Sequence, residues 1–143
     1  MNREYVIFKL EDEYYGISIH HVENIERNIN ITRVPNTKRY IKGITNLRGN
    51  IIPVIDLRER FNLNELNYTE NTRVIIVKYD SYQIGMIVDS SSETLQLDEK
   101  DIEIKPTVNA VVDEEFIKEI GKHNNRIIML LDLKKILDIE DEE

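Results

Sequence analysis

Apolar residues along this chain fall in short runs rich in Ile, Val and Tyr, separated by polar turns. That pattern belongs to small antiparallel sheets or barrels, and it predicts roughly ten strands. Tyr5 to Leu10 alternates before the turn Glu11-Asp12-Glu13, and Tyr14 to Ser18 returns as the other arm of a hairpin. Ser18 can then cap a helix, because Ile19, Val22 and Ile25 recur at a spacing of three and predict one apolar stripe ending near Arg27. Ile31 to Val34 reads as a strand stopped by Pro35-Asn36. Ile44 to Leu47 is expected to pair with Ile51 to Asp56 across Arg48-Gly49-Asn50, where Gly49 supplies a positive φ. Pro53 cannot donate to a ladder, which predicts an edge strand or a bulge at that point.

After the polar stretch Asn62 to Asn71 a second hairpin is expected: Arg73 to Tyr79, a turn at Asp80-Ser81, then Tyr82 to Val88. Val74-Ile75-Ile76-Val77 is apolar on both faces, as in a strand covered on both sides where two sheets pack. Glu93 to Leu97, Val108 to Val112 and Arg126 to Leu131 are further strand candidates. Glu114 to Ile120 reads as a short helix ended by Gly121, and Leu133 to Ile139 as a closing helix with Asp132 as its N-cap. The acidic run Glu140 to Glu143 reads as a solvated tail.

The two halves repeat one another. A shift of 69 residues lays Tyr5-Val6-Ile7-Phe8-Lys9 on Val74-Ile75-Ile76-Val77-Lys78 and Gly16 on Gly85. A shift of 76 lays Ile51 to Arg58 on Ile127 to Lys134, matching Asp56-Leu57 with Asp132-Leu133. Two matches in order point to duplication. The expected fold is therefore mainly β: two similar five-stranded barrels sharing apolar surface, with a few short helices. Residues 1–143 form a single domain with approximate subdomains 1–68 and 69–143, strand exchange between them being left open. Neither half is large enough to bury much core alone.

Composition narrows the function. Zero cysteines exclude a disulfide framework and thiolate metal sites, no apolar run reaches membrane-spanning length, and no secretory leader is visible at the start, so a cytoplasmic protein is expected. A net charge of −8 disfavours nucleic acid and anionic lipid, which leaves proteins as the expected partners. His20 and His21 diverge on the expected helix and His123 sits in a polar turn, so no metal set converges. Ser90-Ser91-Ser92 lacks a nucleophile frame and reads as loop, the five glycines form no phosphate cradle, and helix capping explains Asp56 and Asp132. No catalytic residue, cofactor or metal is expected. The segment Tyr40 to Gly49 stands apart because it sets Arg48 beside glycines on a presumed edge, and Arg is a favoured anchor at protein interfaces.

The run I-K-G-I-T-N-L-R-G-N-I-I-P-V-I-D-L-R at residues 41–58 resembles the signature of the CheW-like domain family. The opening F-K-L-E-D-E-Y-Y-G-I-S-I, V-E-N-I-E-R, I-G-M-I-V-D and the closing R-I-I-M-L-L-D-L-K-K-I-L also look like that family, in order, over nearly the whole chain. The resemblance implies two intertwined barrels and a non-enzymatic chemotaxis adaptor recruited to membrane-bound receptor arrays. Its partners would be the regulatory domain of the histidine kinase CheA and the cytoplasmic hairpin tip of a chemoreceptor, with no direct membrane insertion. The receptor tip would lie in a groove between the barrels to which Val22 and Ile25 contribute. The partner-binding residues implied are Val22, Glu23, Ile25, Gly43, Asn46, Leu47, Arg48 and Gly49. The family often has Glu where this chain has Asn24, which leaves Glu23, Glu26 or a partner's carboxylate to pair with Arg48. It often has valines where this chain reads Ser90 to Thr94. A detached kinase regulatory domain would share the pattern, and an enzyme with an unfamiliar carboxylate site is the third reading.

Overall fold

Alternation decides where each strand points, and pairing decides which alternations become strands. The computed structural model describes residues 2–64, 67–104 and 114–138. Their elements run β1 (Asn2–Leu10), β2 (Glu13–Ser18), β3 (Val22–Glu26), β4 (Ile41–Leu47), β5 (Asn50–Asp56), α1 (Leu57–Arg60), β6 (Arg73–Tyr79) and β7 (Tyr82–Val88), then β8 (Ser90–Asp98), β9 (Ile102–Ile104), β10 (Ile117–His123), β11 (Arg126–Leu131) and α2 (Leu133–Ile136). The chain is mainly β, in two sheets. One has the order β8-β1-β2-β11-β10-β9, the other β3-β6-β7-β5-β4.

These orders carry the duplication. Replacing β3, β6, β7, β5 and β4 by β8, β1, β2, β11 and β10 turns the second sheet into the first five strands of the other. Each sheet takes strands from both sequence halves, so residues 1–68 and 69–143 are not separate spatial units. β2 joins β11 in parallel and β5 joins β7 in parallel, and those two seams are where the halves cross. A bulge between Ile41 and Gly43 on β4 recurs between Ile117 and Glu119 on β10, at the same 76-residue shift.

Three apolar clusters follow from strand alternation. On β1, Val6, Phe8 and Leu10 enter a core shared by both sheets, while Tyr5 and Ile7 face a second cluster with Leu97, Ile128 and Leu130. On β6, Ile75 and Val77 enter the shared core, and Val74 and Ile76 face a third cluster with Ile52, Val54 and Ile87. The doubly apolar run Val74 to Val77 is thus covered on both faces. Tyr15 lies between Phe8 and Phe61, at centroid distances of 5.8 and 5.9 Å. Full burial of each such aliphatic or aromatic side chain contributes about 1.5–3 kcal/mol.

Pairing overrides four sequence expectations. The helix expected over Ile19 to Arg27 is one 3-10 turn, Ile19–His21, capped by Ser18 as foreseen, followed by β3. Val22 lies opposite Val77 and Ile25 opposite Ile75, so pairing with β6 wins over a spacing that also suits a helix. Ile31 to Val34 is no strand: Thr32 alone bridges Ile44. The helix expected over Glu114 to Ile120 is a 3-10 turn, Glu114–Phe116, running into β10, where Gly121 sits within the strand. The serines at 90 and 91 are not loop: they open β8, with Ser91 Oγ donating to the Ile7 carbonyl at 3.0 Å. The candidate strand Val108 to Val112 and the last residue of the closing helix lie outside the described residues.

Pro53 fits the ladder because parallel pairing of β5 with β7 begins only at Val54, so β5 is unpaired on one side at the proline. Both four-residue helices are capped as expected. Asp56 accepts from the Arg58 amide at 2.9 Å and the Glu59 amide at 3.4 Å, and Asp132 accepts from the Lys135 amide at 3.4 Å. No described helix is long and apolar enough to cross a membrane.

Candidate functional site

β4 and β5 form a hairpin closed by the two residues Arg48 and Gly49, since Leu47 pairs with Asn50. Both turn residues have positive φ, 53° and 87°, as a type I′ turn requires. Glycine adopts that conformation freely, whereas arginine does so at a cost of about 1 kcal/mol. Asn46 helps hold the turn by accepting the Gly49 amide at 3.1 Å. The chain thus spends strain to present a guanidinium at the hairpin tip. Arg48 is exposed and forms no ion pair among the described residues. Glu23 is occupied by the Gln83 amide at 2.7 Å, and Glu26 by Asn24, so neither helix-side carboxylate suggested by the sequence reaches it.

Alternation places Asn46 and Ile51 as an outward cross-strand pair beside that turn, and Ile51 is 62% exposed. Leu47 points the other way and packs on the cluster of Ile52, Val54, Val74, Ile76 and Ile87. Ile51 escaped the sequence reading because an apolar run gives no sign of which member faces out.

Gly43 has a different task. Its φ is +151°, and a Cβ there would lie 2.1 Å from the Thr32 carbonyl oxygen. Only glycine lets the loop from residue 27 to residue 40 press onto β4, where Thr32 and Ile44 exchange hydrogen bonds of 2.8 and 2.9 Å. Around Gly49, by contrast, a Cβ would meet nothing within 4 Å.

On β3 a bulge between Val22 and Asn24 interrupts the period of two. Val22 is half-buried against the shared core, and Ile25, 39% exposed, lies opposite Ile75, so both are on the face of β3 that Val77 and Ile75 share, while Glu23 is exposed at the bulge. Val22 and Ile25 therefore share one face of β3. β3 and β4 are opposite edges of their sheet, so the structure keeps Glu23 and Ile25 apart from Asn46, Arg48 and Gly49 within the sheet order.

The strongest polar constellation is one the sequence did not announce. The Arg58 side chain, 5% exposed, donates to both Asp89 carboxylate oxygens at 2.7 and 2.8 Å, to Glu11 at 2.7 Å and to the Asn64 carbonyl at 2.7 Å. The pair with Asp89 chiefly raises its pKa above the ordinary arginine value, so it stays cationic. This node ties α1 to the β1–β2 turn and to the end of β7, across both sheets. Beside it Asp56 accepts from Tyr68 Oη at 2.9 Å, and burial raises its pKa from 3.8. Asp-Leu-Arg in the sequence showed the cap and not the arginine's destination, because Asp89 lies 31 residues away.

Among the described residues no His, Asp or Glu cluster is placed to hold a metal. His21 packs on Tyr79 at 5.4 Å between centroids, with Nδ1 3.2 Å from the Lys78 carbonyl oxygen.

Comparison with known proteins agrees with this geometry. The CheW-like domain matches residues 4–141. A chemotaxis protein CheW of Klebsiella aerogenes is 37% identical over 99% of this chain and 85% of its own. A chemotaxis protein CheW of Bacillus subtilis is 37% identical over 96% of this chain and 88% of its own. The crystal structure of the scaffolding protein TtCheW from Thermoanaerobacter tengcongensis superimposes with a TM-score of 0.91 at 36% identity, covering 100% of this chain and 97% of that one. With the strand order, the capped single-turn helices and the Arg48-Gly49 hairpin all in place, the chain belongs to the CheW-like domain family.

Proposed function

We propose that this protein is a non-enzymatic adaptor coupling methyl-accepting chemoreceptors to the histidine kinase CheA. It would bind the kinase's regulatory domain and the receptor's cytoplasmic hairpin tip at once, so that receptor state controls kinase activity. The observation that carries the reading is the strained, exposed Arg48, without an ion pair among the described residues, beside the exposed Ile51 on the β4–β5 hairpin. A cation and an aliphatic side chain held out of the fold at a conformational cost are suited to a partner's carboxylate and apolar surface. The similarity to a scaffolding protein over the whole chain supports the same reading. Ile25 on the β3 edge is the apolar contact available to a receptor helix, with Val22 on the same face of the strand. Such a protein works in the cytoplasm and reaches receptor arrays through its partners.

Coupling requires each partner to distinguish two signalling states, so binding of one must change affinity for the other or the kinase's activity. The test is calorimetry with a receptor hairpin tip and a kinase regulatory domain, separately and together, followed by kinase assays with receptor added. Binding to both, and kinase control only when this protein is present, is the expected result. Failure to bind either partner at tens of micromolar, or stoichiometric Mg-ATP binding, would sink the adaptor reading.

A further inference from the structure

Charge is unevenly distributed along this chain. Residues 27–50 carry six of its 19 basic residues and none of its 27 acidic ones, which leaves the rest with 13 basic against 27 acidic, a net of −14. The fold gathers four of those cations, Arg33, Lys38, Arg39 and Lys42, around a groove of about 450 Å³ whose walls include Val34 and Ile41. Internal neutralisation is partial. Glu59, with its side chain 3% exposed, takes Lys42 at 2.7 Å and Arg39 at 3.8 Å from beneath. Asp138 takes Lys38 at 3.5 Å. Among the described residues no ion pair involves Arg33, and the Arg39 and Lys38 side chains are 78% and 62% exposed. Among the described residues the carboxylates paired with these cations are Glu59 and Asp138, which leaves a positive groove on a negative protein. Its backbone is fixed by the Thr32–Ile44 bridge and by Ile41 donating to the Lys38 carbonyl at 2.9 Å.

We propose that this groove docks an acidic segment of a partner protein, with carboxylates on Arg33 and Arg39 and an aliphatic side chain between them against Val34 and Ile41. The charge distribution favours a short peptide over other polyanions. Duplex nucleic acid or an anionic bilayer extends beyond the patch and meets the field of the remaining −14, whereas a local acidic stretch meets only the cations. Arginine suits the purpose, because its planar fork binds carboxylates in pairs. The groove is also distinct from the Arg48 surface. Lys42 is the second residue of β4 and Arg48 follows its end, a separation of roughly 20 Å along the strand. The inference therefore stands whether or not Arg48 meets a kinase or a receptor.

The test is fluorescence anisotropy with a labelled 12-residue peptide of Glu and Leu, its Gln-for-Glu counterpart, phosphatidylserine vesicles and a 20-base-pair DNA duplex. The Glu peptide is expected to bind, with affinity falling about tenfold between 50 and 300 mM salt. It should weaken at least tenfold in Arg33→Glu with Arg39→Glu, and stay unchanged in Lys122→Glu. Shifts in NMR spectra on adding the peptide should centre on residues 31–42, which keeps the test valid should the double variant fold poorly. Equal binding of the Gln peptide, an equal loss in Lys122→Glu, or preferential binding of vesicles or DNA would each overturn the proposal.

Discussion

Val54 faces Gly85 across the parallel seam between β5 and β7, and Leu130 faces Gly16 across the matching seam between β11 and β2. The 76-residue and 69-residue shifts carry one pair onto the other, yet in each case the partners come from different halves of the chain. Both glycines avoid crowding, Gly16 across its seam and Gly85 against β6. A Cβ on Gly16 would lie 3.0 Å from Leu130 Cδ2, and one on Gly85 3.0 Å from Val74 Cγ1. Strand exchange at these seams should make the two sheets one folding unit.

Halves cut between residues 68 and 69 should therefore fail to fold alone and should complement each other when mixed. The first would hold β1 and β2 without β8 or β11, and β3 without β6. Each piece, at about 70 residues, lacks the buried area for independent stability. A dispersed NMR spectrum and a sharp thermal transition from either piece by itself would refute this, while recovery of the native spectrum on mixing is the expected result.

Two glycine substitutions should separate by their neighbours. In Gly16→Ala the new methyl meets the movable ends of Leu130 and Ile7, at 3.0 and 3.2 Å, and overpacking of that kind costs about 1–3 kcal/mol. In Gly43→Ala it meets the Thr32 carbonyl at 2.1 Å from a left-handed backbone, which adds strain of about 1–3 kcal/mol on top. Chemical denaturation should rank Gly43→Ala as much the worse. Any loss of partner binding in that variant should come with loss of fold, and a well-folded Gly43→Ala that binds nothing would show a direct contact instead.

The Arg58 node gives an asymmetric pair. Asp89→Ala leaves a guanidinium that is 5% exposed with only Glu11 as a charged partner, and stranding a buried charge costs about 3–5 kcal/mol. Arg58→Met removes more hydrogen bonds but leaves carboxylates that are 27% and 49% exposed and can turn to water. The aspartate substitution should be the more damaging despite removing fewer contacts. Urea melts of the two variants decide it, and the opposite order would mean that the bonds to Glu11 and Asn64 matter more than desolvation.

Asp56 supplies a pH dependence. Burial is the main cause of its raised pKa, and the hydrogen bond from Tyr68 opposes it. A carboxyl whose pKa is higher in the fold favours folding when protonated. Its contribution is fully present below the unfolded value of 3.8 and is lost as pH rises through the raised folded value. Asp56→Asn keeps an oxygen for the cap and cannot ionise. The melting temperature of the variant minus that of the parent should therefore be more positive at pH 7 than at pH 4. A difference that is flat or falls with pH would contradict the assignment.

Strand pattern, turn chemistry and duplication were legible because they are local. The Arg48-Gly49 turn, the caps at Asp56 and Asp132, and the doubly buried Val74 to Val77 each follow from a few adjacent residues. The errors share one cause. Val22-Glu23-Asn24-Ile25 suits a helix by spacing, and only the presence of β6 alongside makes it a strand; Glu114 to Ile120 misled for the same reason, with β11 as the missing neighbour. Arg58 with Asp89 and Gly43 with Thr32 were invisible because each is a contact between segments that the sequence does not place together.

Arg48 is the residue at which stability and binding should part. It sits at φ 53° without an ion pair among the described residues, so its side chain contributes little to the fold and its backbone carries strain. Arg48→Ala keeps the strain and loses only exposed side chain, a change under about 1 kcal/mol. Arg48→Gly removes the strain and should raise stability by up to about 1 kcal/mol. At an interface the same guanidinium is desolvated, and its truncation commonly costs about 2 kcal/mol or more, a loss near thirtyfold in affinity. Both variants should thus bind the kinase regulatory domain or the receptor tip far more weakly, and Arg48→Gly should do so while melting higher than the parent. Melting temperature and affinity measured on the same samples decide the matter. Unchanged affinity for both partners would remove Arg48 from the interface, and a large fall in melting temperature for Arg48→Gly would make its side chain part of the fold.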